Sequence, residues 1–300
     1  MKDQKVSVVI TTKNRCELLM KAVKSVQQQT LTDFECVIVD DGSTDETEER
    51  IAQAVKKDNR FSYIKIAPED SRGANYARNT GIKATSGEYV AFLDDDDVWL
   101  PEKLELQSRF LDENGQVGLV YCQVIRDYVK EKRQRKAVPD MSYRGDCSKK
   151  VFTHIPCTTS TMMVRRSVLE QAGLFDEEMR FWQEYDLCIR ICQITQIDFV
   201  KKYLVIWRCD TQDKNRMTNK LVEWGNAVKQ QNRKYRKELA ALPKGVREAR
   251  RLMILSDAVQ RSHNCGDKRA SRYYLWKIYR HTGKKKDLSA FLCNDVSDYV

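Results

Sequence analysis

The sequence predicts an α/β fold in which a mostly parallel sheet is flanked by helices, followed by a basic helical extension. Over the first hundred residues, short continuous apolar segments alternate with segments of helical period. This alternation is typical of strands buried on both faces of a parallel sheet. Residues 216–300 contain 20 Lys and Arg against 8 Asp and Glu, whereas residues 1–215 contain 33 against 35. We therefore predict a body at residues 1–215 and a basic, mainly helical region at residues 216–300.

Four strand–helix pairs are predicted first. The strands are residues 6–10, 35–40, 62–66 and 88–93, which are rich in Val, Ile, Tyr and Phe. The first helix is marked by apolar residues at helical spacing, namely Leu18, Leu19, Ala22, Val23 and Val26. The next three helices are predicted over residues 43–57, 74–84 and 101–113. A capping-box pattern at residues 43–46 begins the second of them, and Pro101 in a first turn begins the last.

The middle of the chain is less regular. Two further strands are predicted at residues 117–125 and 161–166, and an amphipathic helix at residues 181–192. The charged stretch 126–150 is predicted to be a loop. From about Thr218 the pattern becomes helical and basic.

The apolar runs limit the classes of protein to consider. None reaches the roughly 18 residues that a membrane-spanning helix needs. The run at residues 6–10 is too short for a secretory signal, so we expect the chain to stay in the cytoplasm. The ten cysteines are scattered without a C-x-x-C pair, which favours reduced core thiols over a structural metal.

Polar residues follow three predicted strands at the point where each strand ends. Thr11 and Thr12 follow the first strand, Asp40 and Asp41 the second, and four aspartates, Asp94–Asp97, the fourth. Ligands of parallel sheets bind beyond the carboxyl ends of the strands, so we expect these clusters to form one site.

The four aspartates need positive charge nearby. Neighbouring carboxylates about 5 Å apart repel by roughly 3 kcal/mol at an effective dielectric of about 20. Mg²⁺ and Mn²⁺ prefer oxygen ligands and share them with substrate diphosphates. We therefore expect a divalent cation and a phosphate-bearing ligand, and we expect the charge to be balanced only when both are bound. The alternative is a solvated turn that caps the following helix.

Four stretches carry a resemblance to a known family. VSVVITTKNR, VIVDDGSTDET, GANYARNTGI and GEYVAFLDDDDVWLPEKL, in this order, resemble successive signatures of family 2 inverting glycosyltransferases. The resemblance continues through FWQEYDLCIRI to about residue 215 and leaves the last 85 residues outside it. It implies the A-type glycosyltransferase fold, a Rossmann-like, mostly parallel sheet flanked by helices, and transfer of a sugar from a nucleotide sugar.

The resemblance implies roles for residues on the donor side. Thr11 and the pair Asp40 and Asp41 would meet the base and ribose, with Asp41 favoured to accept the N3–H of uracil. Arg72 and Arg78 would lie near the base or the diphosphate.

The resemblance also assigns the aspartate run to the family's D-x-D element. Asp94 and Asp95 would lie on the nucleotide-sugar side, and Asp96 would be the direct ligand of Mn²⁺ or Mg²⁺. A cation on both phosphates stabilises the departing nucleoside diphosphate as a Lewis acid.

Attack by a sugar hydroxyl requires a positioned base, because such hydroxyls are weak acids. In the family this base opens a helix, and alignment on Leu187 and Arg190 places it at Glu184, where an aspartate is commoner. Asp186 is the reserve candidate. The alternative is an exposed helix start, whose acidic side chains interact favourably with the positive N-terminal end of the helix dipole.

Four more residues are candidates for acceptor or phosphate contacts. Trp99 and Trp182 would stack on a sugar ring, or else serve as core aromatics. Arg208 and Arg216 would contact phosphate from the predicted loop at residues 207–220, which lacks the histidine common in the family.

Residues 270–286 interleave aromatic and cationic side chains. The set that suits an anionic membrane surface is Tyr274, Trp276, Lys277 and Arg280. The set that would instead pack onto the body is Tyr273, Leu275, Trp276 and Tyr279. Nucleic acid is the least favoured partner for this segment.

The resemblance and the acidic motifs together predict an inverting, metal-dependent glycosyltransferase. Its donor would be a UDP-hexose or UDP-N-acetylhexosamine, and its acceptor a saccharide on a polyprenyl-diphosphate-linked intermediate of O-antigen or capsule. Such an enzyme would work at the inner face of the cytoplasmic membrane. The alternative is a catalytically inactive nucleotide-sugar-fold protein that recruits anionic partners through its basic region.

Overall fold

The computed structural model describes residues 5–56, 58–140, 142–210, 220–293 and 295–296, and it divides into two compact units. The first unit comprises Met1–Ser148 and Ile155–Asp210, and the second comprises Lys149–His154 and Thr211–Val300. The predicted boundary between residues 215 and 216 lies outside the described residues.

The first half of the sheet is parallel, as the alternating pattern predicts. Its strands are β1 (Val6–Thr12), β2 (Phe34–Asp40), β3 (Phe61–Lys65) and β4 (Tyr89–Asp94), in the spatial order β3-β2-β1-β4. Thr11 pairs with Asp94 on one side of β1, and Thr12 pairs with Asp40 on the other. This register brings the polar carboxyl ends of three strands together.

The helices between these strands are α1 (Cys16–Gln27), α2 (Thr47–Val55), α3 (Ala74–Lys83) and α4 (Lys103–Glu113). The predicted start of α2 at Ser43 is wrong by four residues. Ser43 donates its backbone N–H to Asp40 and accepts the N–H of Asn14 at its hydroxyl, so it braces the loop instead of capping the helix.

The second half of the sheet mixes directions. Its strands are β5 (Val98–Trp99), β6 (Val117–Tyr128), β7 (Arg133–Ala137), β8 (Met163–Arg165) and β9 (Gln196–Cys209). Strand β8 runs antiparallel between β4 and β6, and β9 is parallel to β6. Strand β5 pairs antiparallel with β9, and β7 pairs antiparallel with β6. The first unit also contains α5 (Arg166–Gln171) and α6 (Gln183–Cys192).

Two predicted loops are therefore partly strands. The stretch 126–150 contains the end of β6 and all of β7, a charged edge hairpin that lacks an apolar face. The stretch 207–220 begins inside β9, whose alternation is interrupted by Lys201 and Lys202.

A glycine sets the distance between α3 and the sheet. A Cβ atom at Gly81 would come within 2.5 Å of the Val9 side chain in β1. Because only glycine permits this close approach, α3 lies directly on the strands. The polar residues of α3, including Arg78, are thereby held beside the carboxyl ends of the strands.

The described residues of the second unit are mainly helical, as predicted. Its helices are α7 (Leu221–Lys234), α8 (Arg236–Ala241), α9 (Lys244–Asn264), α10 (Lys268–Thr282) and α11 (Lys285–Cys293). Helices α9, α10 and α11 contribute to a small apolar cluster formed by Leu255, Val259, Leu275, Ile278, Ala290 and Val296. Within the described part of the chain, every helix is too short or too polar to span a bilayer.

Helix α10 separates its side chains by face. Leu275 and Ile278 are buried in the apolar cluster, whereas Tyr273 and Trp276 are 49% and 39% exposed. Leu275 is therefore buried within the second unit's own cluster, and the predicted packing of this segment onto the body stays a prediction. Helical spacing places those two aromatic side chains on the opposite face.

Candidate functional site

The two aspartates at the end of β2 have different environments. Asp40 is fully buried, and its two oxygens accept the Ser43 backbone N–H at 2.7 Å and the Tyr63 hydroxyl at 2.6 Å. Burial and the bond to Asp40 raise the pKa of Tyr63, which keeps that hydroxyl a donor. The predicted ribose or base contact of Asp40 is therefore corrected, since this carboxylate braces the fold.

Asp41 faces the loop that precedes α3. Its Oδ2 accepts the Ser71 hydroxyl at 2.9 Å and the Gly73 N–H at 3.0 Å, and its Oδ1 accepts the Arg72 N–H at 3.3 Å. The exposed Arg72 guanidinium lies over the ring of Tyr76, 4.9 Å from its centroid. Asp41 thus fixes the loop that presents Arg72 to solvent, beside the end of β2.

The acidic loop, Asp94–Asp97, connects β4 to β5. Asp94 accepts a hydrogen bond from Arg78 Nη2 at 2.8 Å, and Arg78 Nη1 donates to Gln183 Oε1 at 2.8 Å. Arg78 is buried, so the guanidinium is a fixed bridge between the acidic loop and the first residue of α6. Its predicted contact with the base or the diphosphate stays a prediction.

Asp95 and Asp96 share one cation. Arg15 Nη1 lies 3.3 Å from Asp95 Oδ1 and 3.4 Å from Asp96 Oδ2. Asp95 is buried and also accepts the Thr12 hydroxyl at 2.8 Å. Burial raises the pKa of Asp95 to about 6, although Arg15 acts in the opposite direction. Asp96 is about one-third exposed, so it is the member of this pair that a ligand can reach.

Asp97 closes the acidic loop. Its backbone N–H donates to the Asp94 carbonyl at 3.1 Å, and its Oδ1 accepts the Arg208 backbone N–H at 3.0 Å. Burial raises the pKa of Asp97. The four carboxylates therefore already face Arg15, Arg78 and backbone donors, which corrects the expectation that donor and metal alone balance their charge.

Helix α6 carries the candidate base. Glu184 is half-buried in its first turn, one residue after Gln183 and the bridge to Arg78. Asp186 is fully buried and pairs with Arg190, whose Nε and Nη2 lie 3.0 Å and 2.9 Å from its Oδ2. The reserve assignment of Asp186 as base is therefore corrected, because its carboxylate is turned inward and already paired.

The two tryptophans have different positions. Trp99 is 2% exposed, donates its Nε1–H to the Ser160 carbonyl and packs against Lys103. It is therefore a core residue, which corrects the predicted contact between Trp99 and an acceptor sugar. Trp182 is half-buried at the start of α6, with its ring edge-on to Tyr185. Its φ of +55° is rare for a bulky residue, and such backbone strain is concentrated at functional sites.

The predicted phosphate contacts lie at the end of β9. Arg208 donates its backbone N–H to Asp97, and its side chain pairs with Asp210 at 2.7 Å. Arg216 lies outside the described residues. Sequence reasoning missed Arg15, although the register could have shown that the loop after β1 adjoins the loop after β4.

The donor set fits a divalent cation shared with a phosphate ligand. The described residues hold no group of three or more His, Cys, Asp or Glu side chains that could bind a metal by themselves. Mg²⁺ sites of this kind use one or two carboxylates and complete the shell with substrate phosphates and water. Asp96, the predicted direct ligand, is about one-third exposed, as is Asp94 two residues before it.

Comparison with known proteins identifies the family. The model of "Glycosyl transferase family 2" matches residues 7–173, more than half of the chain. The chain belongs to this family. A curated relative, an uncharacterized glycosyltransferase of Rickettsia bellii, is 32% identical over 68% of this chain and 29% of its own length. The chain thus spans about a third of the length of the first curated relatives it matches.

A further curated relative has a specific name. The GalNAc(5)-diNAcBac-PP-undecaprenol beta-1,3-glucosyltransferase of Campylobacter jejuni is 30% identical over 70% of this chain and 66% of its own length.

Two solved structures share the fold. S. aureus TarS 1-349 in complex with UDP-GlcNAc superimposes with a TM-score of 0.60 at 17% identity, covering 97% of this chain and 92% of TarS 1-349. Mannosyltransferase PcManGT from Pyrobaculum calidifontis, in complex with GDP-Man and Mn²⁺, gives 0.64 at 15% identity, covering 99% of this chain and 85% of PcManGT. The A-type fold predicted for this chain is thereby confirmed.

Proposed function

We propose that this chain is an inverting, divalent-metal-dependent glycosyltransferase that uses a UDP-hexose or UDP-N-acetylhexosamine. One observation carries the proposal: the buried Arg78 joins Asp94 of the acidic loop to Gln183, the neighbour of Glu184. A donor-binding carboxylate pair and a carboxylate base are thereby held at one edge of the sheet. Transfer between a bound diphosphate-sugar and an acceptor hydroxyl needs these two groups together.

Glu184 is proposed to act as the base. Its carboxylate takes the proton of the acceptor hydroxyl as the hydroxyl oxygen bonds to the anomeric carbon. The bond from that carbon to the diphosphate oxygen breaks, and the electron pair leaves with the nucleoside diphosphate. A single displacement inverts the anomeric centre, so an α-linked donor gives a β-linked product.

The donor is proposed to lie across the ends of β1, β2 and β4. Thr11, Asp41 and Asp94 would lie on the nucleotide-sugar side, and Asp96 would hold Mn²⁺ or Mg²⁺. When bound, the cation would stabilise the charge of the departing diphosphate. The UDP-GlcNAc in TarS and the GDP-Man with Mn²⁺ in PcManGT support this class of donor and cofactor.

The acceptor is proposed to be a saccharide on a polyprenyl-diphosphate-linked polysaccharide intermediate. Support comes from the name of the Campylobacter jejuni relative and from the exposed Tyr273 and Trp276 of α10. With Lys277 and Arg280, these aromatics would contact the anionic inner face of the cytoplasmic membrane. We assign transfer to residues 1–215 and membrane contact to residues 216–300.

The test separates donor binding from turnover. Asp96→Asn and Glu184→Gln are compared with the parent chain and with Glu113→Gln, an exposed carboxylate at the end of α4. UDP affinity is measured by calorimetry with Mn²⁺ or EDTA, and transfer is measured as UDP release from a panel of UDP-sugars. We expect Asp96→Asn to lose the Mn²⁺-dependent part of UDP affinity. We expect Glu184→Gln to keep that affinity while its turnover falls by about 10²- to 10⁴-fold.

Two outcomes would contradict the proposal. Full transfer by both variants in the presence of Mn²⁺ would show that the site is placed wrongly. No Mn²⁺-dependent UDP affinity in the parent chain would favour the inactive binding protein. Glu113→Gln should match the parent in both measurements.

A further inference from the structure

Arg15 is presented to the acidic loop by a braced turn. The preceding residue, Asn14, has a φ of +53°, a left-handed conformation that asparagine tolerates better than most residues. Its backbone N–H donates to the Ser43 hydroxyl at 2.8 Å, and its side-chain oxygen accepts the Thr44 N–H at 2.8 Å. The turn after β1 is therefore tied to the loop after β2, and the Arg15 side chain extends toward the loop after β4.

The contacts of Arg15 differ from those of Arg78. Arg78 is buried and lies 2.8 Å from Asp94, within the range of a strong charge-assisted hydrogen bond. Arg15 is one-third exposed, and one nitrogen reaches Asp95 and Asp96 at 3.3 Å and 3.4 Å, beyond that range. Arg78 is thus a fixed part of the framework, whereas Arg15 is a longer, more exposed contact that another cation can replace.

We propose that Arg15 is an exchangeable counter-cation, which occupies Asp96 until a divalent cation arrives and then turns to the donor diphosphate. This inference rests on the proposed function. A guanidinium and a divalent cation repel each other, so they compete for the Asp96 carboxylate. The diphosphate is the nearest new anion for the displaced guanidinium, whose planar fork suits phosphate oxygens. Arg15 is a positioning residue in this account, since it acts through Asp96 and the leaving group.

The test uses two affinities that should change in opposite directions. Arg15→Met and Arg15→Gln are made in the full chain, with Arg109→Met as the control, because Arg109 pairs with Glu105 on the exposed face of α4. Mn²⁺ binding without nucleotide is measured by electron paramagnetic resonance of the free ion, and UDP affinity is measured at saturating Mn²⁺. We expect both Arg15 variants to bind Mn²⁺ about threefold more tightly and UDP about threefold more weakly. Arg15→Lys should restore both values toward those of the parent.

Each outcome decides between defined possibilities. If both affinities fall, or if Mn²⁺ affinity stays at the parent value, Arg15 is only a structural contact and the inference is wrong. Asp96→Asn separates this failure from failure of the proposed function. Unchanged Mn²⁺ affinity in Asp96→Asn would overturn the proposed metal site, and the Arg15 inference with it. If Asp96→Asn lost Mn²⁺ affinity while Arg15→Met kept the Mn²⁺ affinity of the parent, the Arg15 inference alone would be overturned.

Discussion

The acidic loop and the exposed face of α10 both crowd like charges, but they are built differently. Each carboxylate of the acidic loop meets a partner from another part of the first unit. The partners are Arg78 on α3 for Asp94, Thr12 on β1 for Asp95, Arg15 before α1 for Asp96 and the Arg208 backbone on β9 for Asp97. A group held from so many directions keeps one geometry, which suits a ligand of fixed shape such as a diphosphate.

The exposed face of α10 is organised within a single helix. Tyr273 and Trp276 stack with their ring centroids 6.5 Å apart. Lys277 lies 4.4 Å from the centroid of Tyr273, and Arg280 lies 5.5 Å from that of Trp276. The comparison teaches that, among the described residues, these aromatic and cationic side chains support one another along α10, an arrangement that suits a partner without fixed shape, such as a bilayer.

Removing the Arg78 bridge is expected to have the largest effect. Arg78→Met takes the partner from Asp94 and separates the acidic loop from the start of α6. A misplacement of about 1 Å at such a site costs roughly a hundredfold in rate, so we expect UDP release under transfer conditions to slow at least by that factor. Arg78→Lys should not restore it, because a single ammonium cannot span Asp94 and Gln183 as the guanidinium does.

Arg60→Met provides the matched control for the Arg78 prediction. Arg60 also pairs with an aspartate, Asp58, and stacks on Phe34. However, it precedes β3 and so lies at the amino end of that strand, whereas the candidate site lies at the carboxyl ends. Equal slowing in the Arg60 and Arg78 variants would show that the loss is one of general stability. The proposed contrast, in which the acidic loop needs a fixed geometry and α10 does not, would then be wrong.

The first half of the fold follows from the sequence because local pattern and final structure agree there. Strands β1, β2 and β4 are apolar runs, β3 is a shorter, partly buried strand, and a segment of helical period follows each of the four. The second half does not, because its strands depend on neighbours. Strand β7 has the sequence RQRKA and is almost wholly exposed, so only its pairing with β6 makes it a strand. In β9 the pair Lys201 and Lys202 interrupts the alternation on which a prediction relies.

The candidate site shows the same division. The resemblance locates Asp96 and Glu184 by their place in ordered motifs. It favours Asp41 for the uracil N3–H, but it could not show that Asp40 turns inward, because Asp40 is held there by Tyr63, from a strand that begins 21 residues later. Asp186 likewise faces Arg190 inside the core. Arg15 was missed because its role depends on the neighbouring positions of β1 and β4.

Asp95→Asn is expected to have an intermediate effect, on stability. Burial raises the folded-state pKa of Asp95 from 3.8 to about 6, so between these values the folded state binds more protons than the unfolded state. The free energy of unfolding of the parent therefore falls as pH rises through this window. Asp95→Asn does not lose stability in this way. Above pH 6 its free energy of unfolding should therefore exceed that of the parent by about 3 kcal/mol at most. The difference should vanish near pH 4.

The Asp95 measurement is urea unfolding followed by circular dichroism between pH 4 and pH 8. Asp58→Asn is the control of opposite sign, because the hydrogen bond from Arg60 lowers the pKa of Asp58. Because the pH window in which this difference develops lies below the unfolded pKa of 3.8, that variant should be less stable than the parent by a constant amount across the measured range. If Asp95→Asn were less stable than the parent at pH 7, the carboxylate would be a net stabilising part of the loop framework.

Changes on the exposed face of α10 are expected to have the smallest effect and to leave the chemistry unchanged. Each cation near an anionic bilayer contributes about 1 kcal/mol, so Lys277→Ala should weaken binding to phosphatidylglycerol-containing vesicles roughly fivefold. Cosedimentation measures this binding, and raising the salt concentration should reduce the difference by screening. Arg236→Ala, which removes an exposed cation at the start of α8, is the matched control. UDP release with a water-soluble acceptor should be the same in all three proteins. If Lys277→Ala slowed that reaction while vesicle binding stayed at the parent value, α10 would belong to the catalytic framework, and its contrast with the acidic loop would disappear.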